Sequence, residues 1–413
     1  MSIRSSLLPH AGIESKMNSS ILISDSPPPL EGIVYGKEWL SRKTCAELLE
    51  WPDKFPTLES NMMKVTTILP AALCLPEEIG ALSSLPTLEI YLSMHATIEL
   101  EAKDGTDCWF IFKSVGFDHS TFTQLKHVID TVRFVTQLRI MDSWLTEEAR
   151  KIDAEFEAVF RKFMEKSTCN SFIQPFDRTT IRIWDLLKFA GTMWLNDSCM
   201  DAILSGLRHR YGKCPDGKNI LFIDQATLRG WIDLYTHPEI GEERGFTWTW
   251  EKEGLQNRTY SKAYAFIHMA GHWGAVAIDF RRLNMTFGDS FHKDFSEDTL
   301  ALQAIAAIFK WLNNCMLNED LKRWDAEVGD LRVNRQHDSS SCGIYAAQAI
   351  EYDILDRRHE VVQASEVLKW FFKDIQYHRV RYLHLTSNLE KVLLVECTIG
   401  YCYVLAYGSW LIS

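Results

Sequence analysis

Three short stretches constrain this chain more than anything else in it. They are Gly271-His272-Trp273, then Phe287-Gly288-Asp289-Ser290, then Gln336-His337-Asp338-Ser339-Ser340-Ser341-Cys342-Gly343. The first two fall among apolar, β-compatible runs, 263–270, 274–280 and 285–287, with the polar turn Arg281-Arg282-Leu283-Asn284 between the last two. The third opens a segment with Ile344, Ala347, Ile350 and Ile354 at helical spacing, which predicts a helix from Cys342 past Leu355. His272 and Asp289 are thus expected at the edges of neighbouring strands and Cys342 at a helix start, where partial positive charge favours thiolate over thiol.

These residue types form a candidate thiol-hydrolase set. Cys342 supplies a nucleophile and His272 takes its proton. Asp289, 17 residues after His272, is expected to accept from the second imidazole nitrogen and fix its tautomer. Gln336, six residues before Cys342, offers an amide that can form an oxyanion hole with the Cys342 backbone N–H. Gly343 is expected to ease the tight start of the helix. Each residue also has a plainer use: Cys342 as a small buried hydrophobe, His272 as a satisfied core residue, Asp289 as a turn cap. The four in order, at these spacings, favour the chemical reading.

The rest of the chain sets the context. Its 413 residues suffice for two domains, and 46% hydrophobic with 24% charged residues is a globular composition. A formal charge of −11, with no run of five Lys/Arg, argues against broad nucleic-acid binding. The ten cysteines form no C-x-x-C pair and no zinc-finger spacing, so reduced thiols in a nuclear or cytoplasmic protein are expected, with no metal or organic cofactor. The first 30 residues lack the apolar core of a secretory signal peptide.

Along the chain, 1–30 reads as a flexible lead-in, 31–171 as an α/β region of unknown fold and function, 172–385 as the catalytic domain, and 386–413 as an apolar tail. Within 31–171, segments 88–100 and 108–113 look strand-like, and 146–166 looks helical. Asp197 can cap a helix bearing Met200, Ile203, Leu204 and Leu207 and ending near Gly212, and 299–313 carries a further helical pattern. The uncharged stretch Cys397–Ser413 is 17 residues long, short of a membrane span; a tail anchor, a packed strand and a misplaced gene end are its three readings.

From about 172 to 385 the chain resembles the Ulp1/SENP family of cysteine proteases, in the three stretches above and in Trp194-Leu195-Asn196-Asp197. The resemblance implies an α+β, papain-like or adenain-like fold, with a mixed sheet packed on the helix of the catalytic Cys. It implies cleavage after the C-terminal Gly-Gly of SUMO or a related ubiquitin-like protein, such a protein and its conjugates as partners, and a monomer. It makes Trp194 and Trp273 the walls of a tunnel that admits only glycines, and Asp197 a contact to a basic residue on the substrate body. Core packing is the plainer use of the two tryptophans. Ser341 stands where the family commonly has an acid, and Gly288 where a larger apolar residue is usual. Proteolysis of another modifier such as NEDD8, or a catalytically idle binding module, is the alternative.

Overall fold

The computed structural model describes residues 43–50, 57–61, 63–66, 84–101, 109–113, 115–117, 119–176, 179–213, 217–237, 249–269, 271–292, 296, 298–322, 324, 327–356, 369, 371 and 373–387. The readings placed on the lead-in and on the apolar tail lie outside the described residues. Two compact units are present. One comprises Met1–Leu40 with Asp53–Val132, the other Ser41–Pro52 with Arg133–Ser413.

In the first unit, Lys64–Thr66, Trp109–Phe112 and Val115–Phe117 form an antiparallel sheet, and Thr57–Glu59 pairs in parallel with Ser84–Pro86. Leu88–Glu101 is a helix rather than the strand its Ile, Tyr and Thr content suggests. Pro86 ends the preceding strand, the Thr87 hydroxyl accepts from the Ile90 amide at 3.5 Å, and the Leu, Met, Ala and Glu that follow are strong helix formers. Tyr91 on this helix stacks on Phe122 at 4.5 Å, and Phe110 stacks on the same ring at 4.2 Å from the sheet.

The division between the units falls inside the helix His119–Trp144. Residues 146–166 are helical as their spacing predicts, with one break, where Asp153 turns extended and caps Ala154–Lys166 through the Phe156 amide at 2.9 Å. These residues are tied to the remainder of the second unit. The Gln137 side-chain amide donates to the Leu187 carbonyl at 2.9 Å, the Trp144 indole N–H to Gln376 at 2.7 Å, and the Cys45 amide to the Ser167 carbonyl at 2.7 Å. A catalytic domain starting at 172 therefore begins inside this unit rather than at its edge.

The rest of the second unit is α+β. Its elements are α1 (Asp197–Tyr211), β1 (Asn219–Ile223), α2 (Gln225–Thr236), β2 (Tyr260–Met269), β3 (His272–Asp279), β4 (Asn284–Asp289), α3 (Thr299–Cys315), β5 (Val328–Asp330), α4 (Cys342–Asp356) and α5 (Ile375–Ser387). The sheet is mixed, in the order β5-β4-β3-β2-β1, antiparallel in its centre and parallel at both edges. Strands β2 and β3 read as nearly continuous apolar runs because both faces are covered. Ala263, Ala265, Ile267, Val276 and Ile278 meet Trp231 of α2 and Ile305, Ile308 and Trp311 of α3 in one core, where the two indoles stack at 4.3 Å. On the other side lies α4, whose Asp353 accepts from Lys262 and Tyr264 of β2. No helix among the described residues is long and apolar enough to cross a membrane.

The packing of 133–171 generates a test. A chain trimmed to 133–387 is expected to unfold cooperatively. Trimming to 172–387 removes Gln137, Trp144 and the helix carrying buried Phe156 and Phe160, so its melting temperature should fall, or folding should fail. Equal melting temperatures of the two fragments in scanning calorimetry would show that 133–171 contributes nothing to this core.

Candidate active site

The sheet brings the first two candidate residues together by register. His272 opens β3 and Asp289 closes β4; Gly274 pairs with Asp289, so His272, two residues earlier, projects on the same face diagonally opposite the acid. Between them, Asp279 Oδ1 accepts from the Arg281 and Arg282 amides at 3.0 Å each, and Leu283 takes the left-handed conformation (φ 54°) that closes the hairpin. His272 Nε2 is hydrogen-bonded to Asp289 Oδ1, which also accepts from the Phe291 amide at 3.1 Å. Cys342 is the second group that acts on this imidazole, and the Nδ1 side of the ring is left by the Asp289 contact. With the His272 side chain 11% exposed and that of Asp289 0%, water scarcely competes for this contact.

Burial alone would depress the His272 imidazolium, but the hydrogen bonds and charges of Asp289 and Cys342 outweigh it and raise its pKa to about 9. The imidazole is thus held protonated at neutral pH. The stability it contributes is complete below the ordinary imidazole value near 6.5 and is lost as pH rises through about 9.

Cys342 is the first residue of α4 and is 1% exposed. The segment before it runs beside β4: the Leu331 amide donates to the Phe287 carbonyl at 2.8 Å and the Gln336 amide to the Ser290 carbonyl at 2.9 Å. This explains Gly288, where a Cβ would lie 2.3 Å from Val333 Cγ2 and 2.9 Å from the Leu331 carbonyl oxygen. Gly343 likewise serves close packing more than turn geometry, since a Cβ there would lie 2.8 Å from the Met200 sulfur. The turn itself is built on Asp338, whose Oδ1 accepts from the Ser340 and Ser341 amides at 2.7 Å each. Burial acts to raise the Asp338 carboxyl, but these amides, the Ser341 hydroxyl and the Arg379 charge hold it below the usual carboxylate range.

Gln336 reaches the site with its amide already engaged. Its Oε1 accepts from the Ser290 hydroxyl at 2.7 Å, and its Nε2 donates to the Asp338 carbonyl at 2.6 Å. The same nitrogen also donates to Asp338 Oδ1 at 3.3 Å, and the group's orientation is fixed by Ser290. Other cysteines have a different character: burial pushes the thiols of Cys169 and Cys199 up to about 12 and raises that of Cys45 further. Those thiols stay protonated, whereas Cys342 acts together with an imidazole.

The expected substrate-contacting residues are placed unequally. Trp194 is exposed (49%), and its ring covers Gly271, whose φ of 71° suits glycine; a Cβ there would lie 3.1 Å from Trp194 Cζ3. Trp273 is buried behind it, packs on the His268 ring at 4.8 Å and donates its indole N–H to the Leu195 carbonyl at 2.9 Å. In this structure it therefore supports the Trp194 segment and presents almost no surface of its own. Asp197 does not cap α1. Asn196 does, accepting from the Cys199 amide at 3.2 Å, because its side-chain nitrogen is also held by Asp185 Oδ1 at 2.8 Å. Asp197 instead pairs on the surface with Arg229 at 2.7 Å.

Four neighbours escape a reading of the sequence. Ser290 orients Gln336; Phe291 stacks on the His272 imidazole at 4.5 Å; Arg229 occupies Asp197; and Arg379 donates to the Ser341 hydroxyl at 2.9 Å. Only Ser290 and Phe291 carry a signal, their adjacency to Asp289. Among the described residues, no group of three His, Cys, Asp or Glu is arranged to hold a metal ion.

Residues 193–387, which contain every residue of this site, match the C-terminal catalytic domain of the Ulp1 protease family. Solved structures similar to the chain include the C-terminal Ulp1 protease domain in complex with Smt3, the yeast ortholog of SUMO. It is 16% identical, with 57% of this chain and 95% of that one covered and a TM-score of 0.40. The catalytic domain of the Ulp1-like SUMO protease of Chaetomium thermophilum is 14% identical (51% and 79% covered, TM-score 0.34). The Xanthomonas campestris effector XopD bound to ubiquitin is 16% identical (46% and 91% covered, TM-score 0.33). No curated protein sequence matches the chain. Over residues 193–387, just under half of its length, the chain thus matches the catalytic domain of a cysteine protease family, consistent with a divergent member of it.

Proposed function

We propose that this domain hydrolyses the peptide or isopeptide bond after the C-terminal Gly-Gly of SUMO or a related ubiquitin-like protein, with Cys342 as nucleophile. The observation that carries the reading is the His272 imidazole, hydrogen-bonded to Asp289 and held up in pKa by both Asp289 and Cys342. Cys342 attacks the scissile carbonyl as thiolate. His272, charged when the thiol has given up its proton, returns a proton to the leaving amine and then takes one from the water that releases the acyl group. Asp289 holds the imidazole in its tautomer and stabilises its charge. The Cys342 backbone N–H and the Gln336 side-chain amide, turned from its contact with Asp338 Oδ1, receive the oxyanion.

The Gly-Gly segment then passes between the exposed Trp194 and the turn before Cys342, where a glycine pair needs no room for side chains. The globular body of the modifier then rests near Asp197. That pair with Arg229 is exposed, and such pairs contribute about 0.2–1 kcal/mol, too little to select a modifier alone. SUMO is the expected modifier through family resemblance, with NEDD8 and ubiquitin as competitors.

The direct test is covalent capture. SUMO, NEDD8 and ubiquitin, each bearing an electrophile in place of the terminal carboxyl, are incubated with the full chain and adducts are mapped by mass spectrometry. An adduct with SUMO on Cys342, lost in Cys342→Ala, is expected. Capture of NEDD8 or ubiquitin alone would replace the substrate and leave the chemistry. Capture of none by a folded sample would favour a binding module, and capture by the Cys342→Ala chain would move the nucleophile elsewhere.

Asp289→Asn should preserve the fold and lower turnover by several powers of ten; the corresponding change in a serine triad costs about 10⁴ in kcat. Turnover near wild type on a fluorogenic Gly-Gly substrate would reduce Asp289 to a cap for the turn at Phe291.

A further inference from the structure

Arg379 lies on α5, 1% exposed, directly behind the turn that leads into Cys342. One terminal nitrogen donates to the Phe189 carbonyl at 3.1 Å. The other donates to the Ser341 hydroxyl at 2.9 Å and reaches the Met193 carbonyl at 3.5 Å. Among the described residues its Nε has no hydrogen-bond partner. None of these contacts is a carboxylate. Asp338, the acid of the turn, spends Oδ1 on the Ser340 and Ser341 amides and acts on Arg379 through its charge alone.

A guanidinium remains charged in proteins, and a buried charge without a paired acid is costly. Arg381, two residues on, shows the ordinary solution, with its guanidinium on the fully buried Glu351 carboxylate, which also accepts from Tyr211 and Tyr382. Arg379 lacks such a partner at the one place where the chain carries a thiol that must become an anion. Burial lowers the guanidinium's own pKa, and Asp338, Cys342 and Tyr345 counter that.

We propose that Arg379 is a positioning residue for the nucleophile: its guanidinium ties the turn before Cys342 to the 189–193 segment leading to Trp194, and its fixed charge favours the anion on the sulfur. The inference rests on Cys342 being the nucleophile. Charged and titratable groups meet at Cys342 and Arg379 from several elements. His272 of β3, backed by Asp289 of β4, acts with Cys342; the Arg379 guanidinium of α5 acts with Cys342, with Asp338 of the preceding turn and with Tyr345, one turn along α4. The turn before Cys342 and the 189–193 segment thus depend on one side chain, since the same guanidinium holds Ser341 and the carbonyls of Phe189 and Met193.

The experiment is the pH profile of Cys342 alkylation by iodoacetamide in the full chain, with the modified residue identified by peptide mass spectrometry and folding checked by circular dichroism. Arg379→Gln should move the profile to higher pH by about one unit, the scale of an opposite charge nearby. Arg379→Lys, which restores charge without the fork of donors, should stay closer to wild type. If Arg379→Gln does not fold, Ser341→Asp carries the test: a carboxylate bonded to Arg379 neutralises it and should also move the profile upward. A folded Arg379→Gln chain, or failing that a Ser341→Asp chain, with the wild-type profile overturns the proposal. So does a lysine variant shifted as far as the glutamine one, since the role would then be structural. A wild-type chain whose Cys342 is alkylated at no pH overturns the nucleophile assignment itself, whereas a reactive Cys342 with an unmoved profile overturns Arg379 alone.

Discussion

The contact between His272 and Asp289 across two neighbouring strands is the constraint around which the rest of this site is arranged. Its geometry is set by the sheet: the β3–β4 register puts Gly274 opposite Asp289 and leaves His272 on the diagonal of the same face. Its strength comes from the scarcity of water around it and from the action of Cys342 on the same imidazole. A charged imidazole next to a thiol at a helix start is one electrostatic unit, because each charge stabilises the other.

Cys342 is brought to this pair by the strand edge more than by its own helix. Residues 331–336 follow the extended end of β4, through the Leu331 and Gln336 amides, and Gly288 is small because they pass so close. Asp338 then folds the turn and Arg379 secures it from α5. Ser290 joins the strand of Asp289 to the Gln336 amide, so a shift of β4 would disturb Asp289 and Gln336 together. The site behaves as one assembly because its parts share this strand.

Much of that assembly is legible in the sequence, for a local reason. The hairpin of β3 and β4 is written in two apolar runs with a polar turn, and α4 in the spacing of Ile344, Ala347, Ile350 and Ile354. What escapes is decided by tertiary contacts. Asn196 and Asp197 are both good caps, and the choice falls on Asn196 through Asp185, eleven residues earlier. Residues 88–101 carry both β-branched and helix-forming side chains, and the aromatic packing of Tyr91 accompanies the helical outcome. Arg379 stands 38 residues from Ser341 in a segment with no motif of its own, and Ser290 and Gln336 are 46 apart. The tunnel reading of Trp273 shows a related gap, because the sequence places an indole next to His272 but not its burial against the Leu195 carbonyl.

The central claim is that His272 is held as a cation by Asp289 and Cys342 in the resting protein. The most direct measurement is the nitrogen NMR titration of its imidazole in the full chain, assigned by comparison with His272→Gln. The account predicts both ring nitrogens protonated at pH 7, with loss of a proton near pH 9. A neutral imidazole at pH 7, titrating near the ordinary value of about 6.5, would contradict it.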